Sequence, residues 1–330
     1  MPLALGEANV EKKEPATMPD SSPTFDFWDN LLKDNPRRCI ECLPTSRWGR
    51  LVEPTPEEKA QRPASGLRIL VLGSWTLGLL AFEGLLELEK TLPGKARIVG
   101  LVTDDPHDPN AKISIHRRFW RYYDQAHRED YEWGILHRAL AAGVPCYTGE
   151  IKCDGFRALL AQWDPEAIVS AAFGQIVDEP IINYPAYGIY NVHPSDLLHH
   201  YGAGPHPWED LAERKATSMR VTLHKVSQAV DGGDVVGQST EVNLTTVDGQ
   251  TTDNVRVIGE KTLVPVKAMV EELIRALAVK KEAKQPGPVN TLDFAGLLPQ
   301  SLQHELLAPL DPSAYGGILP LPDDEKIFTV

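Results

Sequence analysis

The sequence predicts an α/β protein built on a doubly wound, mostly parallel sheet, and three observations predict it. Short continuous apolar runs recur, "LRILVLG", "ARIVGLVTDD" and "EAIVSAAFGQIV", as in strands covered on both faces. Stretches with helical apolar spacing separate them. The resulting strand–helix alternation is the pattern of a parallel sheet with helices on its faces.

Taken in order, residues 1 to about 22 are rich in Pro, Glu and Ser and are expected to be disordered. "TFDFWDNLLKD" (Thr24 to Asp34) groups Phe25, Phe27, Trp28, Leu31 and Leu32 as the apolar face of a short helix. "VEPTPEEKAQRPASG" (Val52 to Gly66) has the composition of a linker. Residues 1–66 are therefore expected to be an N-terminal extension, an arm that packs on the main domain or on a second subunit.

The first core strand is Leu67 to Gly73, followed by a helix from about Thr76 to Lys90 and the strand "ARIVGLVTDD". Helical spacing returns over Tyr131 to Val144, stopping at Gly143. "PCYTGEI" is a short strand, "GFRALLAQWDP" a helix stopped before Pro165, and "EAIVSAAFGQIV" a further buried strand. "SMRVTLHKVSQAVDGGDVVGQSTEVNL" then predicts strand, turn, strand, which closes a main domain over residues 67–244. Lys261 to Ala283 predicts one amphipathic helix, with Pro265 tolerable only in its first turns. From Gln285 the chain is Pro- and Gly-rich, an extended tail with at most one short helix near "SLQHELL", so residues 245–330 form a C-terminal helix and tail.

A net charge of −13 argues against a nucleic-acid surface as the main business of the chain. No run of about 18 apolar residues occurs, so no membrane span is expected. The N-terminus lacks the basic start and apolar core of a signal peptide. Cys39 and Cys42 form a lone C-x-x-C, while Cys146 and Cys153 are isolated. A zinc site would want a second close pair, so reduced thiols in a cytoplasmic protein are the expectation.

Ligands of doubly wound sheets bind beyond the carboxyl ends of the strands. "FGQIVDEP" and "NVHPSDLLHHYGAGPHPWEDL" are expected at such an end, the latter placing four histidines within 21 residues. Asn191 and His193, one residue apart just past a strand, face the same way in extended backbone. Asp231 comes from a Gly-rich turn 40 residues on. An amide and a protonated imidazole suit a tetrahedral oxyanion, and a His–Asp pair suits proton transfer from an attacking amine. No G-x-S-x-G nucleophile motif is present, so acyl transfer would be direct. Taken singly, each group has a plainer reading, because a lone Asn or His in a loop is usually a turn former and "DGG" is a turn signal. His199, His200, His206 and His224 match no standard zinc spacing, and no metal is expected. "GSWTLG" (Gly73 to Gly78) is a poor dinucleotide loop, since Trp75 is bulky where a pyrophosphate must approach, although its backbone N–H groups suit part of a substrate.

The string from Phe173 to Gln238 resembles the folate-dependent formyltransferase family, which includes methionyl-tRNA, glycinamide ribonucleotide and sugar N-formyltransferases. The likeness rests on Asn191, His193, Pro194 and Ser195, then Gly202, Gly204 and Pro205, then Thr222 and His224, then Asp231 and Gly233, and on the upstream "FGQI". It runs from roughly Leu67 to Leu244.

This resemblance implies a Rossmann-like core and 10-formyltetrahydrofolate as cosubstrate. Asn191, His193 and Asp231 would be the catalytic residues. The pterin would lie between two loops, with Phe173, Gly174, Gln175 and Ile176 on one and Val230, Gly232 and Asp234 on the other. Gly73, Ser74, Trp75 and Ser195 would meet the acceptor.

The chain departs from the family after His-Pro-Ser, where "LLHHYGAG" lacks the usual proline and arginine. Residues 245–330 carry 8 Lys/Arg against 12 Asp/Glu, poor material for the basic barrel that grips tRNA. A small-molecule amine acceptor is therefore expected, with no nucleic-acid or membrane partner. Arg117, Arg118 and Trp120, within the basic aromatic stretch Lys112 to Arg128, suit a phosphorylated or nucleotide-linked amino sugar. The same stretch also fits a surface helix with its aromatics packed inward. The appended arm and tail are candidates for dimer contacts. A hydrolase of 10-formyltetrahydrofolate and a non-catalytic folate-binding protein remain as alternatives.

Overall fold

The computed structural model describes residues 39–42, 49–105, 128–199 and 206–311, with side chains from residue 49 onward and, in the third stretch, from residue 133. All of them belong to one compact unit beginning at Arg38. The strands are β1 (Cys39–Cys42), β2 (Gly49–Glu53), β3 (Leu67–Gly73), β4 (Ala96–Thr103), β5 (Cys146–Gly149), β6 (Ala167–Ala171), β7 (Ile189–His193), β8 (Ser218–Met219), β9 (Thr222–Lys225), β10 (Val235–Gln238) and β11 (Val242–Asn243). The helices are α1 (Pro56–Ala60), α2 (Trp75–Thr91), α3 (Arg128–Ala141), α4 (Asp154–Trp163), α5 (Glu179–Ile182), α6 (Pro207–Glu213), α7 (Val255–Leu263), α8 (Val266–Glu282), α9 (Phe294–Leu297) and α10 (Gln300–Leu307).

Among the described residues, nine strands form one sheet in the order β1-β2-β5-β4-β3-β6-β7-β9-β10. The five central strands, β5-β4-β3-β6-β7, pair in parallel, and antiparallel strands extend both edges. The expected doubly wound, mostly parallel sheet is thus present. From β3 the chain winds outward through β4 to β5, then returns to the other side of β3 with β6. The order reverses there, and ligands of such sheets bind at that reversal. No helix among the described residues is long and apolar enough to cross a membrane.

The core strands form where Val, Ile and Leu run continuously: Ile69, Leu70, Val71 and Leu72 in β3 and Ile168 and Val169 in β6 have no exposed surface. Each such residue gains about 1.5–3 kcal/mol from burial, which fixes these strands at the centre. At the β3–α2 turn, a Cβ on Gly78 would lie 2.8 Å from the Gly73 carbonyl carbon. Gly78 therefore serves the close passage of helix over strand.

The structure revises four expectations. Val52 to Gly66 is not a linker: β2 pairs with β5, Val52 opposite Cys146, and so brings the segment into the sheet. Thr55 then caps α1 in a reciprocal capping box with Glu58. Arg62 grips Glu89 of α2 through two 2.6 Å hydrogen bonds. The sheet therefore begins before residue 67.

The helix expected over Lys261 to Ala283 is two helices. Pro265 has no N–H for an uninterrupted helix and stands as the N-cap of α8. Among the described residues the tail, to Asp311, holds two short helices and packs closely, with Phe294 and Leu306 fully buried. Lys261, itself buried, donates to the backbone carbonyls of Glu305 and Ala308. Lastly, Asn191 and His193 lie within β7 rather than past a strand. The helix expected at Thr24 to Asp34 and the residues Arg117, Arg118 and Trp120 lie outside the described residues.

Candidate active site

The site grows from one strand pairing. β7 and β9 are antiparallel, with Asn191 opposite His224 and His193 opposite Thr222. Directly opposed residues place their side chains together on one face of the sheet. The two N-x-H positions of β7 therefore meet the two T-x-H positions of β9.

Asn191 Nδ2 lies 3.0 Å from His224 Nε2, and His224 Nδ1 lies 2.9 Å from the Lys225 carbonyl oxygen. A carbonyl only accepts, so Nδ1 carries the hydrogen and Nε2 is the acceptor of an Asn191 N–H. Burial lowers the pKa of His224, aided by the nearby His193, against the opposing pulls of the Lys225 carbonyl and Asp231. The neutral ring is thus favoured, and it fixes which end of the Asn191 amide points where. One N–H goes to His224. The other is available to a bound oxygen.

Beneath His193, the Thr222 hydroxyl donates to the Ser195 carbonyl at 2.7 Å and accepts from Leu197 N and Gln238 Nε2. Gln238 also donates to Asp196 at 2.8 Å. The His-Pro-Ser-Asp turn is thereby stitched to β9 and β10. His193 is held at a strand end by the strand pairing on one side and this turn on the other.

Asp231 reaches both rings, 3.9 Å from His193 Nδ1 and 3.7 Å from His224 Nε2. Its backbone is left-handed, φ 51°, a conformation that costs a non-glycine residue free energy and recurs at functional sites. Gly233 explains the turn that carries it, since a Cβ there would meet the Lys225 carbonyl oxygen at 1.8 Å. An approach of about 1 Å would bring Asp231 to hydrogen-bond distance of the His193 ring, whereas the His224 Nε2 it also faces is an acceptor like itself.

Asn191, His193, His224 and Asp231 all line one cavity of about 220 Å³. Residues 172–177 after β6 and residues 226–231 after β9 supply much of its wall. Ile176 and Val230 on these loops are 59% and 64% exposed. The start of α6 adds His206, Pro207, Trp208 and Glu209, with His206 Nδ1 3.4 Å from a Glu209 carboxylate oxygen. Trp208 is oriented by its indole N–H, which donates to Thr262 at 2.9 Å.

The other expected site residues divide between the cavity wall and places away from it. Phe173, Gly174, Gln175 and Ile176 line the cavity, but the Gln175 amide is spent on protein, donating to Gly149 O and accepting from Ile151 N. Gly232 and Asp234 do not line it, and Asp234 pairs outward with Lys225 at 3.2 Å. Gly73, Ser74 and Trp75 are buried under the sheet end, and Ser195 is fully buried with its hydroxyl unpartnered among the described residues. None of these four forms cavity wall.

Fold and site together define a doubly wound α/β protein with an amide–imidazole–carboxylate cluster at a strand end. Residues 151–266 match the family model described as "Formyl transferase". A methionyl-tRNA formyltransferase from Orientia tsutsugamushi is 26% identical over 52% of this chain and 48% of its own length. One from Pelotomaculum thermopropionicum is 33% identical over 41% and 44% respectively. The chain spans about half the length of these relatives or less. Among solved structures, a phosphoribosylglycinamide formyltransferase from Anaplasma phagocytophilum matches with a TM-score of 0.48 and 19% identity, covering 65% of this chain and 88% of that one.

Proposed function

We propose that the chain is an N-formyltransferase that takes a formyl group from 10-formyltetrahydrofolate and delivers it to the amine of a small metabolite in the cytoplasm. The observation that carries this reading is the convergence of Asn191, His193 and Asp231 on one cavity walled by residues 172–177 and 226–231. The residues suit the donor: the loops offer backbone groups and the apolar side chains of Ile176 and Val230 to a flat heterocycle. When bound, the folate supplies a formyl carbon already attached to a nitrogen leaving group.

The Asn191 N–H, aimed by neutral His224, donates to an oxygen that gains negative charge as the amine attacks. His193, at the strand end, stabilises the same charge when protonated. Asp231 balances the imidazolium and takes part in moving the amine proton toward the departing nitrogen. Among the described residues the cavity wall bears the carboxylates of Asp231 and Glu209 and no Lys or Arg, which favours an amine acceptor over an anionic one; an acceptor arriving as an ammonium gives up one proton to solvent before its lone pair attacks. The finer reading, a nucleotide-linked amino sugar, rests on Arg117, Arg118 and Trp120.

The test is 10-formyltetrahydrofolate turnover with simple amines, nucleotide-linked amino sugars and methionyl-tRNA, the last included because the relatives are named for it. An amine-dependent rate on a small acceptor is the expected result. A rate indifferent to added amine would make the chain a hydrolase. A rate seen only with tRNA would replace the acceptor class.

A further inference from the structure

Asp104, at the carboxyl end of β4, is 1% exposed and does not line the cavity. Its Oδ2 accepts from the Ser74 hydroxyl at 2.8 Å and from the Gly174 backbone N–H at 2.7 Å. Its Oδ1 faces Gln175 Nε2 at 3.4 Å. Gln175 continues the network to Gly149 O at 3.0 Å and Ile151 N at 3.3 Å. The segments that follow β3, β4, β5 and β6 are thus fastened through one carboxylate and the amide beside it. The neighbouring Asp105 is engaged separately by Arg50, 3.3 Å away.

Two backbone features show what this network restrains. Trp75, next to Ser74, has φ 59°, and Ala172, two residues before Gly174, has φ 51°. Side-chain-bearing residues hold left-handed backbone only where the surroundings over-determine it. Both strained positions adjoin groups that Asp104 binds. Ala172 also begins the stretch 172–177 that walls the cavity. A buried carboxylate is costly unless its lone pairs are filled, and here burial pushes its pKa up to about 6, against the hydrogen bonds from Gly174, Ser74 and Gln175. At neutral pH it remains ionised and accepts from all three.

We propose that Asp104 is a positioning residue for the formyl donor: through Gly174 and Gln175 it holds residues 172–177 in the shape that walls the folate side of the cavity. This rests on the reading of that cavity as the donor site. Asparagine has one acceptor oxygen: placed at Oδ2 it still accepts from Ser74 and Gly174 but sets its N–H against the Gln175 amide N–H, and turned over it accepts from Gln175 and sets N–H against the Gly174 N–H.

The experiment uses the full chain and its Asp104→Asn and Ser74→Ala variants. Tetrahydrofolate affinity, donor KM, kcat and amide hydrogen exchange are measured on each. In Asp104→Asn, tetrahydrofolate Kd and donor KM are expected to rise about tenfold, as on loss of a charged hydrogen-bond acceptor. Ser74→Ala, which keeps the carboxylate, should give about a threefold rise by losing one neutral donor. Exchange should quicken at residues 172–177 and not across the sheet.

Unchanged Kd and exchange, or a kcat loss at constant KM, overturns the proposal, as does exchange quickened uniformly. Should Asp104→Asn fail to fold, the milder variant decides by the same readings. A wild-type chain that binds no tetrahydrofolate removes the functional reading, while exchange at 172–177 still decides whether Asp104 anchors the loop.

Discussion

Replacing His193 by alanine is expected to lower kcat by about 10²- to 10⁴-fold, the range for a positioned general acid–base group, while tetrahydrofolate affinity changes little. The expectation follows from placement. His193 ends β7 at the cavity wall and is 8% exposed, so its ring is held in place by its surroundings. Asp231 stands 3.9 Å away as its electrostatic partner. An Asp231→Asn change should cost a comparable factor. The double variant should be little worse than either single one, because groups acting as a unit lose their effect together. Steady-state kinetics decide the matter. A His193→Ala enzyme that kept most of its kcat would place the chemistry elsewhere.

Asn191→Ala should lower kcat by about 10²- to 10³-fold, the cost of removing one oxyanion donor. His224 contributes to that effect without touching the reacting atoms. Its Nδ1–H is committed to the Lys225 carbonyl and its Nε2 accepts from the amide, so the amide cannot rotate to offer oxygen where nitrogen is needed. The lowered pKa of His224 protects this arrangement as acid is added. The stabilisation that neutral His224 lends the fold is present above its unfolded pKa of about 6.5. It is lost only as pH falls through the lower folded value. A kcat loss in Asn191→Ala below about tenfold would show that another donor carries the oxyanion.

Much of this was legible beforehand, and the pattern of what was not is physical. The central strands were readable because a strand buried on both faces needs an unbroken apolar run, which Leu67 to Gly73 and Ala167 to Ala171 supply. The strand at Gly49–Glu53 was not: its partner, β5, lies almost a hundred residues away, and no local composition announces such a pairing. A signal for the adjacent helix did exist, since Thr55-Pro-Glu-Glu58 is a capping-box sequence.

Asn191, His193 and Asp231 were recognisable by chemistry and by resemblance, and the structure brings them to one cavity. The position of His224 opposite Asn191 was missed because register, which no single strand contains, decides it. Placing "NVH" against "TLHK" in an antiparallel pair would have found it. Ser74 and Ser195 are buried away from the cavity, and Gln175 lines it while its side-chain amide is bonded to Gly149 and Ile151, which the sequence alone does not reveal.

Ile176 and Val230 stand on the two loops that wall the cavity, and more than half of each remains open to water. A donor seated between those loops would remove both side chains from solvent, and loss of apolar hydration has a calorimetric signature. The binding enthalpy should therefore grow more exothermic with rising temperature, giving a negative heat-capacity change. Titrations at several temperatures read that slope directly, and truncating both residues to alanine should flatten it. A slope unaltered by the truncation would mean that the ligand leaves these two side chains in water.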